Sequence, residues 1–312
     1  MAQLGDDDRR MRSGLVSTQM IGFALMRYVW KIEPASMTED QVLAAVAPNV
    51  QRYIDGHLSE PPTAARATRV MRRGRSIAAV ETSVAEERVR AQKLLDAQDK
   101  AARLFDEIER RAMIRAGVGE QELSDEIRDL AADMFGVTRH WHRRIVRAGE
   151  NTLQPFKEHP PDRVIADDDI VFLDLGPIFE EWEADFGRTF VLGPDPDKAA
   201  VLDALTRVWQ AGREHFERHP EITGAQLFDY TVEVARAEGF EWGSHIAGHL
   251  VGEFPHKKIA GTATEWYIMP GSDKPMRRTD PSGRRSHWIL EIHLIDPTRG
   301  FGGFYEQLLD LP

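Results

Sequence analysis

The segment His245-Ile-Ala-Gly-His-Leu-Val-Gly-Glu-Phe-Pro-His256 places His245, His249 and His256 within twelve residues, with Gly248 and Gly252 where the backbone can approach a ligand closely. What three imidazoles can do depends on which carboxylates fold toward them. Asp174 lies ahead of them, near the end of Ile170–Leu175 (IVFLDL), whose length and β-branched content read as a buried strand. Asp185 follows eleven residues later in EADFGRT, a piece that can return as a neighbouring strand. Glu291 lies behind them in the apolar run ILEIHLI, where an unpaired carboxylate is costly and calls for a metal or a cationic partner. Glu306 faces it across a hairpin read from Trp288–Ile295, the turn Asp296-Pro-Thr-Arg-Gly and Gly303–Leu309. Carboxylates with one imidazole make a borderline-hard donor set, suited to manganese, iron, cobalt or zinc. The competing explanations are an arginine pair for either glutamate and a satisfied core histidine for any one imidazole.

Outward from this segment, the chain reads as alternating helices and strands. Leu94, Ala97, Ala101, Leu104, Phe105, Ile108 and Ala112 fall on one helical face before Gly117. A second helix spans Glu120 to Phe135, apolar at Leu123, Ile127, Leu130 and Met134 and stopped by Gly136. A β-like stretch, Trp141 to Arg147, leads to a turn at Gly149 to Thr152 and a loop through Pro160 and Pro161. Two more helices run from Asp197 to about Phe216 and from the capping-box pattern Thr223-Gly-Ala-Gln226 to Gly239. The stretch Gly261 to Arg285, rich in Gly, Pro and Arg, is the candidate mobile loop over a site.

A chain of 312 residues, 42% hydrophobic and 29% charged, can bury a sizeable core. The expected division is an arm or appendage over 1–75 and a main domain over 76–312, with the basic run Arg69 to Arg75 as a solvated face. Met37 is an alternative natural start, which would make the preceding segment an upstream extension. A net charge of −11, from 51 acidic and 40 basic residues, offers no cationic field for a phosphate backbone, so nucleic acid is not an expected partner. Met20 to Trp30 is about half a membrane span and contains Arg27, so no membrane association is expected. The absence of cysteine fits a cytoplasmic location and leaves catalysis to Asp, Glu and His.

In order and spacing, Phe172-Leu-Asp174-Leu-Gly, Asp185-Phe-Gly-Arg188-Thr189, His245-x-x-x-His249, Pro-His256, Glu291 and Glu306 resemble the pita-bread metallopeptidases. These are the relatives of aminopeptidase P, prolidase, methionine aminopeptidase and creatinase, and the resemblance covers about residues 84–312. It implies an α/β (α+β) fold, a strongly curved, mainly antiparallel sheet covered by helices, with the site in its concavity. It implies that Asp174, Asp185, His249, Glu291 and Glu306 hold two divalent ions, manganese the first choice and iron, cobalt or zinc the others. Glu306 would bridge the ions and take part in catalysis, His256 would contact the substrate or the developing oxyanion, and His245 would line the site. Arg188 and Thr189 would stand behind Asp185. The implied reaction is hydrolysis of a small peptide or amide by a metal-bridging hydroxide, most simply as an aminopeptidase P or Xaa-Pro dipeptidase, in a homodimer.

Three departures bear on substrate. Where peptidase relatives have a substrate-contacting histidine, Phe156 and Lys157 stand here, with His159 just beyond. Either His159 reaches in, Lys157 takes over, or the substrate is not an ordinary peptide. The usual proline after the first glutamate is Ile292, followed by His293, which strand alternation puts on the side of Glu291, so that it either joins the site or packs there. The N-terminal region is too short for the accessory domain of aminopeptidase P and prolidase. The alternatives are therefore a creatinase-like enzyme acting on a small amide, guanidino or amino-acid metabolite, and a binding module that has lost catalysis.

Overall fold

The structure, a computed structural model, describes residues 64–254, 264–279 and 284–311, with side chains from residue 84 onward. His256 and, of the expected loop over 261–285, residues 261–263 and 280–283 lie outside the described residues. The chain divides into two compact units, Met1–Ser76 and Ile77–Pro312, and every described strand belongs to the second.

Helix α1 (Ala64–Arg110) buries Leu94, Ala97, Ala101, Leu104, Phe105 and Ile108, whose three- and four-residue spacing puts them on one face. Ala112, expected to continue that face, is exposed: the helix ends at Arg110, so the helical period no longer applies, and Met113 enters the core instead. Helix α2 (Glu120–Phe135) has the expected bounds and buries Leu123, Ile127 and Leu130, with Met134 partly buried against the same core. Helix α3 (Pro196–Arg218) starts one residue before the expected position, because the side chain of Asp195 accepts from the backbone N–H groups of Asp197 and Lys198. Helix α4 (Gly224–Ala237) opens with the reciprocal Thr223–Gln226 capping box.

The strands are β1 (Ile145–Ala148), β2 (Ile170–Leu175), β3 (Ile178–Phe179), β4 (Trp182–Glu183), β5 (Phe186–Val191), β6 (Glu241–Trp242), β7 (Gly248–Val251), β8 (His287–Asp296) and β9 (Phe301–Leu308). Seven of them form one antiparallel sheet in the order β1-β2-β5-β9-β8-β6, with β7 pairing the other end of β8, while β3 and β4 make a small hairpin. Alternation within strands decides the two faces. Val171, Leu173 and Leu175 of β2 join the core under α1 and α2, and Leu290, Ile292 and Leu294 of β8 join the core under α3 and α4. The residues between them, Phe172 and Asp174 on β2 and Glu291 and His293 on β8, therefore point to the opposite face, where they line one cavity.

Two local expectations change. The stretch Trp141 to Arg147 is strand only from Ile145, where pairing with Asp174 begins; Trp141 instead donates its backbone N–H to Gly176 and leaves residues 141–144 outside the ladder. Gly248 serves the sheet rather than a ligand: its φ is +135°, and a Cβ there would sit 2.0 Å from the carbonyl oxygen of Ile289 on β8. Gly248→Ala should therefore destabilise the protein by about 3 kcal/mol or more. Thr223→Ala, which removes one helix cap, should cost about 1 kcal/mol. Denaturant unfolding of the two variants checks this, and equal losses would contradict the assignment of Gly248 to strand approach.

Candidate functional site

Asp174 and Asp185 converge because β2 and β5 are antiparallel neighbours with Asp174 opposite Gly187. Glu291 and Glu306 stand directly opposite each other on β8 and β9, a pairing that like charges disfavour. His249 on β7 enters beside them, its Nε2 2.9 Å from Asp185 Oδ2 and 4.0 Å from Glu306 Oε1. A second imidazole, His142, puts its Nε2 3.2 Å from Asp185 Oδ1 and 3.4 Å from Asp174 Oδ1. Two groups of potential ligand atoms each lie within 4.8 Å, His142–Asp174–Asp185 and Asp185–His249–Glu306, and they share Asp185.

The electrostatics of this cluster are strained without a cation. Burial drives the Asp174 carboxyl up to about 7, with Asp185 and Glu291 adding to the shift and His142 opposing it. Burial followed by Asp185, Asp174 and Glu291 pushes Glu306 well above the usual carboxylate range, and burial also raises Glu291. Asp185 goes the other way, because His142 and His249 outweigh burial and hold it ionised. Burial alone would lower both histidines, but the carboxylates raise each to about 9. Glu306 Oε2 is buried with no hydrogen-bond partner among the described residues. An arginine partner does not explain Glu306: Arg188 donates to its main-chain carbonyl at 2.9 Å. The oxygen-rich donor set with imidazole fits one or two divalent cations, which would relieve the repulsion and fill the unmet acceptor.

The cluster forms one end of a cavity of about 450 Å³ whose walls include Trp141, Phe156, Phe172 and Tyr267. His245, Phe156 and Lys157 line it, each exposed, whereas His159 does not and instead meets Arg143. His293 also borders the cavity but is 2% exposed, with its Nε2 bonded to the Thr152 carbonyl at 2.8 Å and its ring against Phe172 and Phe304. Burial lowers its pKa, so it is a neutral packing group on that face. Arg188 and Thr189 do not bond Asp185; they tie β5 to the backbone of β9 at Glu306 and Phe304. Thr264, Tyr267 and Met269, from the expected loop, border the cavity as well. The residue missed by sequence reasoning is His142. Its signal was the pattern His140-Trp-His142 just ahead of the strand that pairs with Asp174, which a strand reading of residues 141–147 passes over.

The model of metallopeptidase family M24 matches residues 92–278, more than half of the chain. A second model, of the tetracyclin repressor-like C-terminal domain, matches residues 1–54, outside the described residues. Among curated proteins, an Xaa-Pro dipeptidase of Lactobacillus helveticus is 26% identical over 145 residues, 46% of this chain and 39% of that protein. A putative Xaa-Pro aminopeptidase of Mycoplasma pneumoniae is 29% identical over 111 residues, 35% of this chain and 31% of that protein. The matched region thus spans well under half the length of either relative. Among solved structures, a recombinant prolidase from Thermococcus sibiricus aligns with a TM-score of 0.54 at 22% identity, covering 72% of this chain and 59% of that one. An X-Pro aminopeptidase from Thermotoga maritima aligns with a TM-score of 0.55 at 21% identity, covering 69% and 56%. These likenesses establish a shared fold.

The pKa directions set the pH dependence of the metal-free protein. Asp174 and Glu306 hold their protons to higher pH in the folded than in the unfolded chain, so the stability they contribute is present below about pH 4 and is lost as pH rises, through about 7 for Asp174. His142 and His249, raised from 6.5 to about 9, lose their contribution over that higher window. The depressed Asp185 acts oppositely, but only at acid pH below its unfolded value of 3.8. The melting temperature in chelator should therefore fall from about pH 5 to about pH 9, and a divalent cation should flatten the fall. Glu306→Gln should raise metal-free stability at about pH 8 and lower it once metal is present. A profile independent of pH and metal would contradict the cluster.

Proposed function

The chain belongs to metallopeptidase family M24 and has its pita-bread fold, and on that premise we propose that it is a two-metal hydrolase of a peptide or amide bond, most simply an Xaa-Pro dipeptidase or aminopeptidase P-like enzyme. The observation that carries this reading is the gathering of Asp174, Asp185, His249, Glu291 and Glu306 at one end of a single cavity. These five residues would hold the ions. Carboxylate oxygens dominate the set, so manganese is the first candidate, with iron, cobalt or zinc as the others. When bound, such a cation pair lowers the pKa of a shared water and polarises the carbonyl of the substrate.

The remaining chemistry belongs to the protein. Asp185, held ionised, supplies fixed negative charge between two imidazoles. Glu306, whose hold on a proton is strengthened by burial and by the neighbouring carboxylates, is the carboxylate suited to take a proton from water and pass it to the leaving amine. His245, Phe156 and Lys157 are in position to meet the rest of the substrate, and Phe172 and Tyr267 keep water away from the reacting bond. The oxyanion role of His256 rests on its sequence position. The cavity volume lies in the range that encloses small ligands, which favours a small peptide or amide. In this reading residues 76–312 are the catalytic domain, residues 1–75 an appendage, and the enzyme a cytoplasmic homodimer.

Phe156 favours a second reading. An exposed phenyl ring stands at the cavity where peptidase relatives have a histidine, which suits a small amide, guanidino or amino-acid metabolite. A panel of Xaa-Pro dipeptides and small amides, assayed with and without added manganese, separates the two. Metal-dependent cleavage of Xaa-Pro dipeptides is expected, with a loss of roughly 10³-fold or more in Asp185→Ala, above the cost of removing one oxyanion donor. Activity unchanged by chelation or by Asp185→Ala would contradict the proposal.

A further inference from the structure

We propose that His142 is a sixth ligand of the metal centre, completing the cation position that Asp174 and Asp185 form, as His249 completes the one formed with Asp185 and Glu306. The proposal rests on the two-metal reading and adds to it a residue that the family motifs quoted above do not contain.

The two imidazoles are held alike. His142 turns Nδ1 to the carbonyl of Arg143 at 2.6 Å, and His249 turns Nδ1 to the carbonyl of Leu250 at 2.8 Å. A carbonyl only accepts, so in each ring Nδ1 carries a proton and Nε2 is the atom turned to the centre. A main-chain carbonyl behind the far nitrogen is the usual device for fixing a ligating histidine. Each Nε2 then meets a different oxygen of the same carboxylate, Oδ1 of Asp185 for His142 and Oδ2 for His249. Asp185 is thereby flanked by one imidazole on each side, as a bridging carboxylate between two cations with one nitrogen ligand apiece would be. A divalent ion would take the space between each Nε2 and the carboxylates it faces.

The surroundings of His142 are shaped for this placement. Its side chain is 6% exposed. Trp141 packs against both imidazoles, with ring centroids 4.5 Å from His142 and 4.9 Å from His249, and Phe156 meets His142 from another direction at 5.5 Å. Gly176, two residues after Asp174, provides the clearance: a Cβ there would lie 2.3 Å from Cδ2 and 2.4 Å from Nε2 of His142. A second, independent sign that the cluster expects cations is the unmet Oε2 of Glu306. One nitrogen on each ion also moves the donor set away from manganese and toward iron, cobalt or zinc.

The test counts metal on the full chain, stripped by chelator and reloaded with manganese or with zinc, for wild type, His142→Phe and His142→Gln. Elemental analysis should find two ions per chain in wild type and one in each variant, or a second ion held at least about tenfold more weakly. Two ions with unchanged affinity in both variants would overturn the role of His142 while leaving the two-metal reading intact. No ion in wild type would overturn that reading itself and the ligand role with it. If the variants lose their far-ultraviolet circular dichroism, anomalous scattering from metal-loaded wild-type crystals decides. An ion about 2.0–2.3 Å from His142 Nε2 supports ligation, and none within hydrogen-bond range overturns it.

Discussion

Four carboxylates fold onto one buried face beside two imidazoles, and burial and mutual repulsion hold three of the carboxyls above their usual range. Asp174, Asp185, Glu291 and Glu306 are brought there by strands β2, β8 and β9 and the residue leading into β5, so the repulsion is a property of the sheet register and not of any loop. A one-residue slip between β8 and β9 would turn one glutamate under the helices and separate the pair. The hydrophobic residues on the alternate positions, Leu290, Ile292 and Leu294 among them, hold that register by burial beneath α3 and α4. Core packing and the polar centre are two sides of the same strands.

The scaffold has further means of keeping the centre narrow. Gly187 is the single residue of β5 in register with β9, at Glu306. Arg188, pressed between Phe186 and Tyr305, and Thr189 stitch the rest of that strand to β9 through side-chain hydrogen bonds donated to its main-chain carbonyls. Burial holds Arg188 near 10, below its usual value, and it remains a cation at neutral pH. Its charge stands close behind Glu306 without neutralising the carboxylate, which leaves the acceptor free for an ion.

Much of this was legible in the sequence, for physical reasons that also mark where it stopped. Helix α2, strand β2 and the β8–β9 hairpin have the bounds or pairing expected of them because period, length and turn chemistry agree there. The convergence of Asp174, Asp185, His249, Glu291 and Glu306 followed from strand alternation together with the family resemblance. Three points were not legible. Ala112 has the right spacing, but the helix has already ended. Gly248 looks like a ligand-facing glycine, yet the neighbour it accommodates is the backbone of Ile289, a contact 41 residues away in sequence. His142 lies in a stretch whose apolar and basic pattern resembles a strand; the Trp141–Gly176 hydrogen bond takes that stretch off the ladder, and the imidazole stands 3.2 Å from Asp185.

The most direct test of the central claim is calorimetric titration of the metal-free chain with manganese or zinc at about pH 7, in two buffers of different ionisation enthalpy. Carboxyl and imidazole groups that hold protons in the empty cluster must give them up to a cation. Saturable binding with net proton release is the predicted result. Binding that releases no protons, or no saturable binding at all, would contradict the account.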